Sequence, residues 1–196
     1  MSLRASGASI KNMIEKLRDA LAERQILRIN DSNIKVSAVL VPIFLKAGQY
    51  HLLFIQRTER VKEHKGQISF PGGAYEKADG LLLNTALREA KEEIGLAPDD
   101  VEVLGELDDV LTATTNYVIS PFVGLIPYPY KFKLDEWETE ELIRIPIANL
   151  SAKGCFSEDT IIIDGREILT YFRYSDKIIW GATAKILKQF LEIVTG

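Results

Sequence analysis

The sequence predicts an α/β fold, and three observations carry that prediction. Residues 83–94 contain neither Pro nor Gly, are rich in Leu and Ala, and stop at Gly95, the residue expected just past a helix C-terminus. Short apolar runs at 35–41, 51–55, 101–107 and 117–126 read as strands on either side of that helix. Near the C-terminus Ile186, Leu187, Phe190, Leu191 and Val194 recur at helical spacing.

Each element has its own local reason. Ile10, Met13, Ile14, Leu17 and Leu21 mark an amphipathic packing helix over residues 9–23, with Ser9 as its expected cap. Residues 35–41 partly alternate; Ala47-Gly48-Gln49 is a turn, and residues 51–55 return as the second strand of a hairpin. The charged residues 56–67 read as a solvated connection. Strand-like Gln67-Ile68-Ser69-Phe70 then runs into Pro71-Gly72-Gly73. Adjacent glycines there allow positive φ and close backbone approach, which phosphate docking often needs. In the central helix Leu83, Leu87, Ala90 and Ile94 share one face.

Residues 101–107 alternate like a strand, and the small, mostly polar loop 112–116 leads into the apolar strand 117–126. Pro121 inside that strand predicts an edge position or a bulge. Pro127 and Pro129, with Tyr128 and Tyr130, end it. The acidic run 135–141 reads as a charged, solvated stretch before residues 142–147. Residues 160–172 form a second hairpin about an Asp164-Gly165 turn, and residues 178–184 open the final helix.

Composition bounds the function. The chain has 196 residues, close to half of them apolar, which suits one globular domain with a substantial core. A net charge of −4 excludes a general polycation for nucleic acid. No apolar run approaches the ~20 residues needed to span a bilayer, and no secretory signal is evident. Cys155 stands alone, so no intrachain disulfide forms; a buried thiol in a reducing, cytoplasmic compartment is expected. The two histidines, His51 and His64, are far apart in sequence; His51, opening a strand, reads as structural.

The chemistry concentrates in the central helix. Glu89, Glu92 and Glu93 stand at i, i+3 and i+4, on a face roughly opposite the apolar one at ~100° per residue. Two of them occupy the last turn, where the carbonyl end of the helix disfavours anions by ~0.3–1 kcal/mol each. Positive charge must compensate. Arg88 and Lys91 supply part of it, and a hard divalent cation with oxygen ligands would supply more. The alternative is an ordinary solvated helix face with pairs such as Arg88–Glu92.

The pattern Gly73-x5-Asp79-x8-Arg88-Glu89-Ala90-x-Glu92-Glu93-x-Gly95-Leu96 resembles the Nudix box, usually G-x5-E-x7-R-E-U-x-E-E-x-G-U with U apolar. It departs in having Asp79 where Glu is usual and one more residue before Arg88. Both departures resemble the coenzyme A pyrophosphatase branch of that family. The loop before the box is similar to that branch's upstream signature, L-L-T-x-R-[SA]-x3-R-x3-G-x3-F-P-G-G. Leu53, Arg57, Gly66, Phe70, Pro71, Gly72 and Gly73 match it, whereas Phe54, Ile55, Thr58 and Lys62 do not. Lys62 keeps a charge but lacks the planar fork that grips phosphate with two bonds. The Trp180-Gly181-x-Thr183-Ala184 junction is also similar to that branch.

The resemblance covers about residues 35–190 and implies a Nudix-type α/β/α sandwich with a mixed sheet. It divides the chain into an N-terminal helix and linker, 1–34, and a Nudix hydrolase domain, 35–196. It implies metal-dependent hydrolysis of a nucleoside diphosphate linked to another group: coenzyme A first, ADP-ribose or another nucleotide as the alternative, and a non-catalytic nucleotide binder as a third reading. Mg²⁺ or Mn²⁺ would be held by Glu89, Glu92 and Glu93 with the Gly73 carbonyl. Arg88 would orient the glutamates, and Glu138 is the expected further ligand or base. Arg57, Lys62, His64, Gly72 and Gly73 would line the substrate, with the loop from Thr112 to Tyr117 as a wall of its pocket. Asp79 is expected at the periphery. The implied partner is a small nucleoside diphosphate compound, with no nucleic acid and no membrane; a homodimer is the oligomer left open.

Overall fold

The computed structural model describes residues 7–61, 65–112, 115–158, 160–163, 165–168 and 170–196. Helix α1 (Gly7–Glu23) begins before Ser9, which therefore lies inside the helix and not at its cap. Strands β1 (Lys35–Lys46) and β2 (Gln49–Arg57) form the expected hairpin, joined by Ala47 and Gly48 with φ of 50° and 77°. Two positive φ angles give the turn whose twist matches a two-residue hairpin. Strands β3 (Ile68–Ser69) and β4 (Gly72–Ala74) precede helix α2 (Leu82–Ile94). Then come β5 (Glu102–Glu106), β6 (Val110–Leu111), β7 (Tyr117–Leu125) and β8 (Thr139–Pro146). The helix α3 (Ile147–Leu150) follows, and the chain ends in α4 (Gly181–Thr195).

The principal sheet runs β3-β2-β1-β7-β5, with β4 on β1, β6 on β7 and β8 on β2. The β1–β7 pairing is parallel and the others are antiparallel, so the sheet is mixed. Helix α2 covers one face: Ala38, Leu40 and Phe44 of β1, with Leu53 and Ile55 of β2, pack with Ala86, Ala90 and Ile94. Helices α1 and α4 cover the other: Val41, Ile43, Leu52 and Phe54 pack with Ile14, Leu17, Leu187 and Phe190. This is the expected α/β/α sandwich. Burial on both faces explains why these strands read as near-continuous apolar runs.

Several expectations are corrected. The buried stripe of α2 is Ala86, Ala90 and Ile94 with Thr85 and Glu93, while Leu83 and Leu87 are only half-buried. Small residues at 86 and 90 let the helix lie close on Ala38. Pro121 lies in β7, an inner strand between β1 and β5, not an edge. Its carbonyl accepts from Leu107 N–H, so its missing N–H falls where the partner chain passes from β5 to β6 and the ladder is interrupted.

Residues 161–168 form the hairpin β10 (Ile161–Ile163) and β11 (Arg166–Ile168); Asp164, in its turn, lies outside the described residues. Strand β12 (Tyr171–Tyr174) joins instead a small sheet with β13 (Lys177–Trp180) and β9 (Phe156–Ser157). Residues 178–180 are thus strand, and the last helix starts after them. Cys155 is buried, its thiol donating to the Arg173 carbonyl, and burial pushes its pKa up. His51 is structural: its ring stacks on Phe44 and its Nδ1 contacts the Gln49 carbonyl at 3.0 Å. No helix among the described residues is long and apolar enough to cross a membrane.

Candidate active site

The last two turns of α2 hold three glutamates at three depths. Glu93 is buried, 2% exposed; Glu89 is largely covered; Glu92 leaves 58% of its side chain in solvent. Gly95, with φ 69° and ψ 22°, ends the helix in the left-handed conformation the sequence leads one to expect. The positive compensation required at this helix end is present as two arginines and one backbone amide.

Arg57 and the Gly72 amide hold Glu93. Arg57 Nη1 donates to its Oε1 at 3.0 Å, and Gly72 N–H donates to its Oε2 at 2.9 Å. Burial pushes the carboxyl up to about 8; Arg57 and the amide pull it back in part, while Glu89 and Glu138 add to the rise. Burial also raises Glu89, against the pull of Arg88. Gly72 reaches Glu93 because β4 lies flat on β1, pairing Val39 with Gly72 and Ala38 with Gly73.

Arg88 is fully engaged. Its Nε and Nη2 fork onto Asp79 at 2.9 and 3.2 Å, Nη2 also donates to the Ala74 carbonyl at 3.0 Å, and Nη1 faces Glu89 and Glu92 at 2.9 and 3.0 Å. Asp79 in turn accepts from Thr85 Oγ1 and Glu76 N–H. Asp79 is therefore the anchor of the residue that orients two glutamates, not a peripheral group. The bond from Arg88, first among several, holds its carboxyl well below the usual carboxylate range. A lowered pKa contributes stability that is present above the ordinary value of ~4 and is lost as pH falls below it. Asp79→Asn should therefore melt below wild type at about pH 6, with the gap closing toward about pH 2. A gap independent of pH in thermal melts would contradict the assignment.

Glu138 reaches the site through strand pairing. The β2–β8 register slips between Gln56 and Arg57, so Arg57 faces Thr139, and Thr58 N–H donates to the Glu138 carbonyl at 2.9 Å. A bulge re-aims side chains in this way. Arg57 Nη2 then meets Glu138 Oε2 at 3.4 Å, bridging it to Glu93. The structure thus brings together Arg57, Gly72, Gly73, Arg88, Glu89, Glu92, Glu93 and Glu138. Lys62 and His64 lie outside the described residues. A cleft of about 190 Å³ opens beside Gln56, Lys65, Gly66, Gln67, Lys177 and Trp180; the glutamates do not line it.

The donors suit a hard divalent cation: carboxylate oxygens close enough to raise one another's proton affinity, beside a backbone with no Cβ. A Cβ on Gly73 would stand 2.4 Å from the Glu89 carboxyl. Among the described residues no three acidic, His or Cys side chains converge as a ready-made ion cage. Arg57 and Arg88 draw the oxygens toward themselves.

A family model described as the NUDIX domain matches residues 35–150. The chain belongs to the Nudix hydrolase family. It is 34% identical over 178 residues to the uncharacterized Nudix hydrolase NudL of Klebsiella pneumoniae subsp. pneumoniae, covering 88% of this chain and 92% of that one. It is 35% identical over 178 residues to the uncharacterized NudL of Escherichia coli strain SMS-3-5, with the same coverage. Among solved structures, a MutT/nudix family protein from Enterococcus faecalis superposes with a TM-score of 0.58 at 18% identity, over 97% of this chain and 75% of that one. That likeness bears on the fold. As a Nudix hydrolase the chain is an enzyme of phosphorus-containing acid anhydrides, a family that uses divalent metal ions.

Sequence reasoning missed two features of this Nudix site. The Arg57–Glu93 bond joins residues 36 positions apart, and no local pattern announces it. The Asp79–Arg88 fork did have a signal, because both are fixed positions of the box, but its acidic position alone does not say what it holds.

Proposed function

We propose that this Nudix hydrolase cleaves the diphosphate of coenzyme A or its derivatives, giving adenosine 3′,5′-bisphosphate and 4′-phosphopantetheine. The observation that supports this substrate is the upstream signature, matched at Leu53, Arg57, Gly66 and Phe70 through Gly73. The catalytic domain would be residues 35–196, preceded by the N-terminal helix and linker, 1–34, and acting in the cytoplasm.

Glu89, Glu92 and Glu93, with the Gly73 carbonyl, would hold Mg²⁺ or Mn²⁺. When bound, the ion supplies charge neutralisation for the diphosphate and acidifies water for attack on phosphorus. The chain's own residues do the rest. Arg88, locked on Asp79, keeps Glu89 and Glu92 oriented. Glu138, 43% exposed, takes the proton released by the attacking water. Arg57, with Lys62 and His64 a few positions on in sequence, pairs with diphosphate oxygens, and the flat Gly72-Gly73 backbone admits them closely.

A second reading, hydrolysis of ADP-ribose or another nucleotide, is favoured by the altered signature positions Phe54, Ile55, Thr58 and Lys62. A substrate panel with Mg²⁺ decides between them. Coenzyme A is expected to give the higher kcat/KM, and a preference for ADP-ribose would promote the second reading. A pure nucleotide binder has no use for a buried Glu93 beside two further carboxylates.

A further inference from the structure

The two arginines of the site are satisfied to different degrees. Every nitrogen of the Arg88 guanidinium has an acceptor: Asp79, Ala74, Glu89 or Glu92. Such a group is a permanent brace. Arg57 is not finished in this way. Nη1 and Nη2 meet Glu93 and Glu138, but its buried Nε–H has no acceptor among the described residues. A buried donor left unpaired is costly, and a side chain retained only for structure would be expected to resolve it.

The oxygens that Arg57 occupies are the ones a divalent cation would take. Two cations cannot both sit at bonding distance from the Oε1 of Glu93 without strong repulsion at low effective dielectric. Glu93 is enclosed, so it cannot turn outward to serve both. We infer that Arg57 is an internal competitor for the metal: it holds Glu93 and Glu138 in register, and an incoming divalent cation displaces it from Glu93. This rests on the metal-site reading above and deepens it. The displaced guanidinium, tethered at the end of β2, is then free to pair with the diphosphate, so one residue couples metal arrival to substrate capture.

The test is Mn²⁺ binding by calorimetry on wild type, Arg57→Gln and Arg57→Lys. Removing the competitor is expected to tighten Mn²⁺ binding at least tenfold in Arg57→Gln, with Arg57→Lys between it and wild type. Equal or weaker binding in a folded Arg57→Gln overturns the exchange. Nitrogen-15 spectra of wild type give a readout that does not depend on a variant folding. The Arg57 Nε–H signal should shift on adding Mg²⁺, and an unmoved signal overturns the inference. Failure of the metal-site reading looks different: wild type would bind no Mn²⁺, or would bind it unchanged after Glu93→Gln.

Discussion

Glu93→Gln is expected to keep the fold and to lower kcat by about 10³-fold or more, the loss of several kcal/mol of metal-dependent charge stabilisation. The amide matches the carboxyl in volume, and its oxygen can still accept from the Gly72 N–H. The other oxygen, which accepts from Arg57 Nη1, becomes an NH2 that faces that donor, so the variant should melt somewhat below wild type while still folding. What the variant loses is the enclosed anionic oxygen. The raised pKa of Glu93 sets a pH dependence. Burial favours the protonated carboxyl, so a proton competes with both Arg57 and the cation for Glu93, and wild-type Mn²⁺ affinity should rise with pH toward about 8 and then level off. Glu93→Gln should lack that slope. Glu92→Gln, at a solvent-facing position, should also lose turnover while hardly moving the melting temperature. Undiminished turnover in both variants, measured beside their melting curves, would remove these residues from the metal site.

The sequence revealed this helix more fully than its surroundings, and the reason is range. A helix is set by contacts three and four residues apart, so its span, its Gly95 stop and its clustered glutamates are local facts. The β1–β2 hairpin is local too. By contrast, the parallel pairing of β1 with β7 joins residues about eighty positions apart, and nothing in either strand specifies the other. Pro121 misled for the same reason: its position depends on where β5 and β6 stop on the far side of β7. Residues 178–180 precede a helix and look like its first turn, yet pairing with Tyr171, Phe172 and Arg173 makes them strand. At the site the glutamates were legible by spacing. Their partners were legible in part: Arg88 lies one turn away, whereas Arg57 arrives from another strand through a bulge.

The adjacent glycines Gly72 and Gly73 should fail differently, and the contrast is the sharpest test of how the site is built. A Cβ on Gly72 would stand 2.4 Å from the Ala38 carbonyl oxygen and 2.6 Å from the Val39 Cα. Both belong to the backbone of β1, a strand paired on both sides and buried on both faces, which cannot give way. Gly72→Ala is therefore expected to destabilise the fold by about 3 kcal/mol, and to shift the amide that holds Glu93. A Cβ on Gly73 meets instead the Glu89 carboxyl, the far end of a flexible side chain. Gly73→Ala should fold with nearly the wild-type melting temperature while Glu89 swings aside, and a displacement of that size can cost about 10²-fold in turnover. Melting curves and kcat on the two variants separate the cases. If Gly73→Ala turns over at the wild-type rate, Glu89 has no part in the chemistry, and the working donors reduce to Glu92, Glu93 and Glu138.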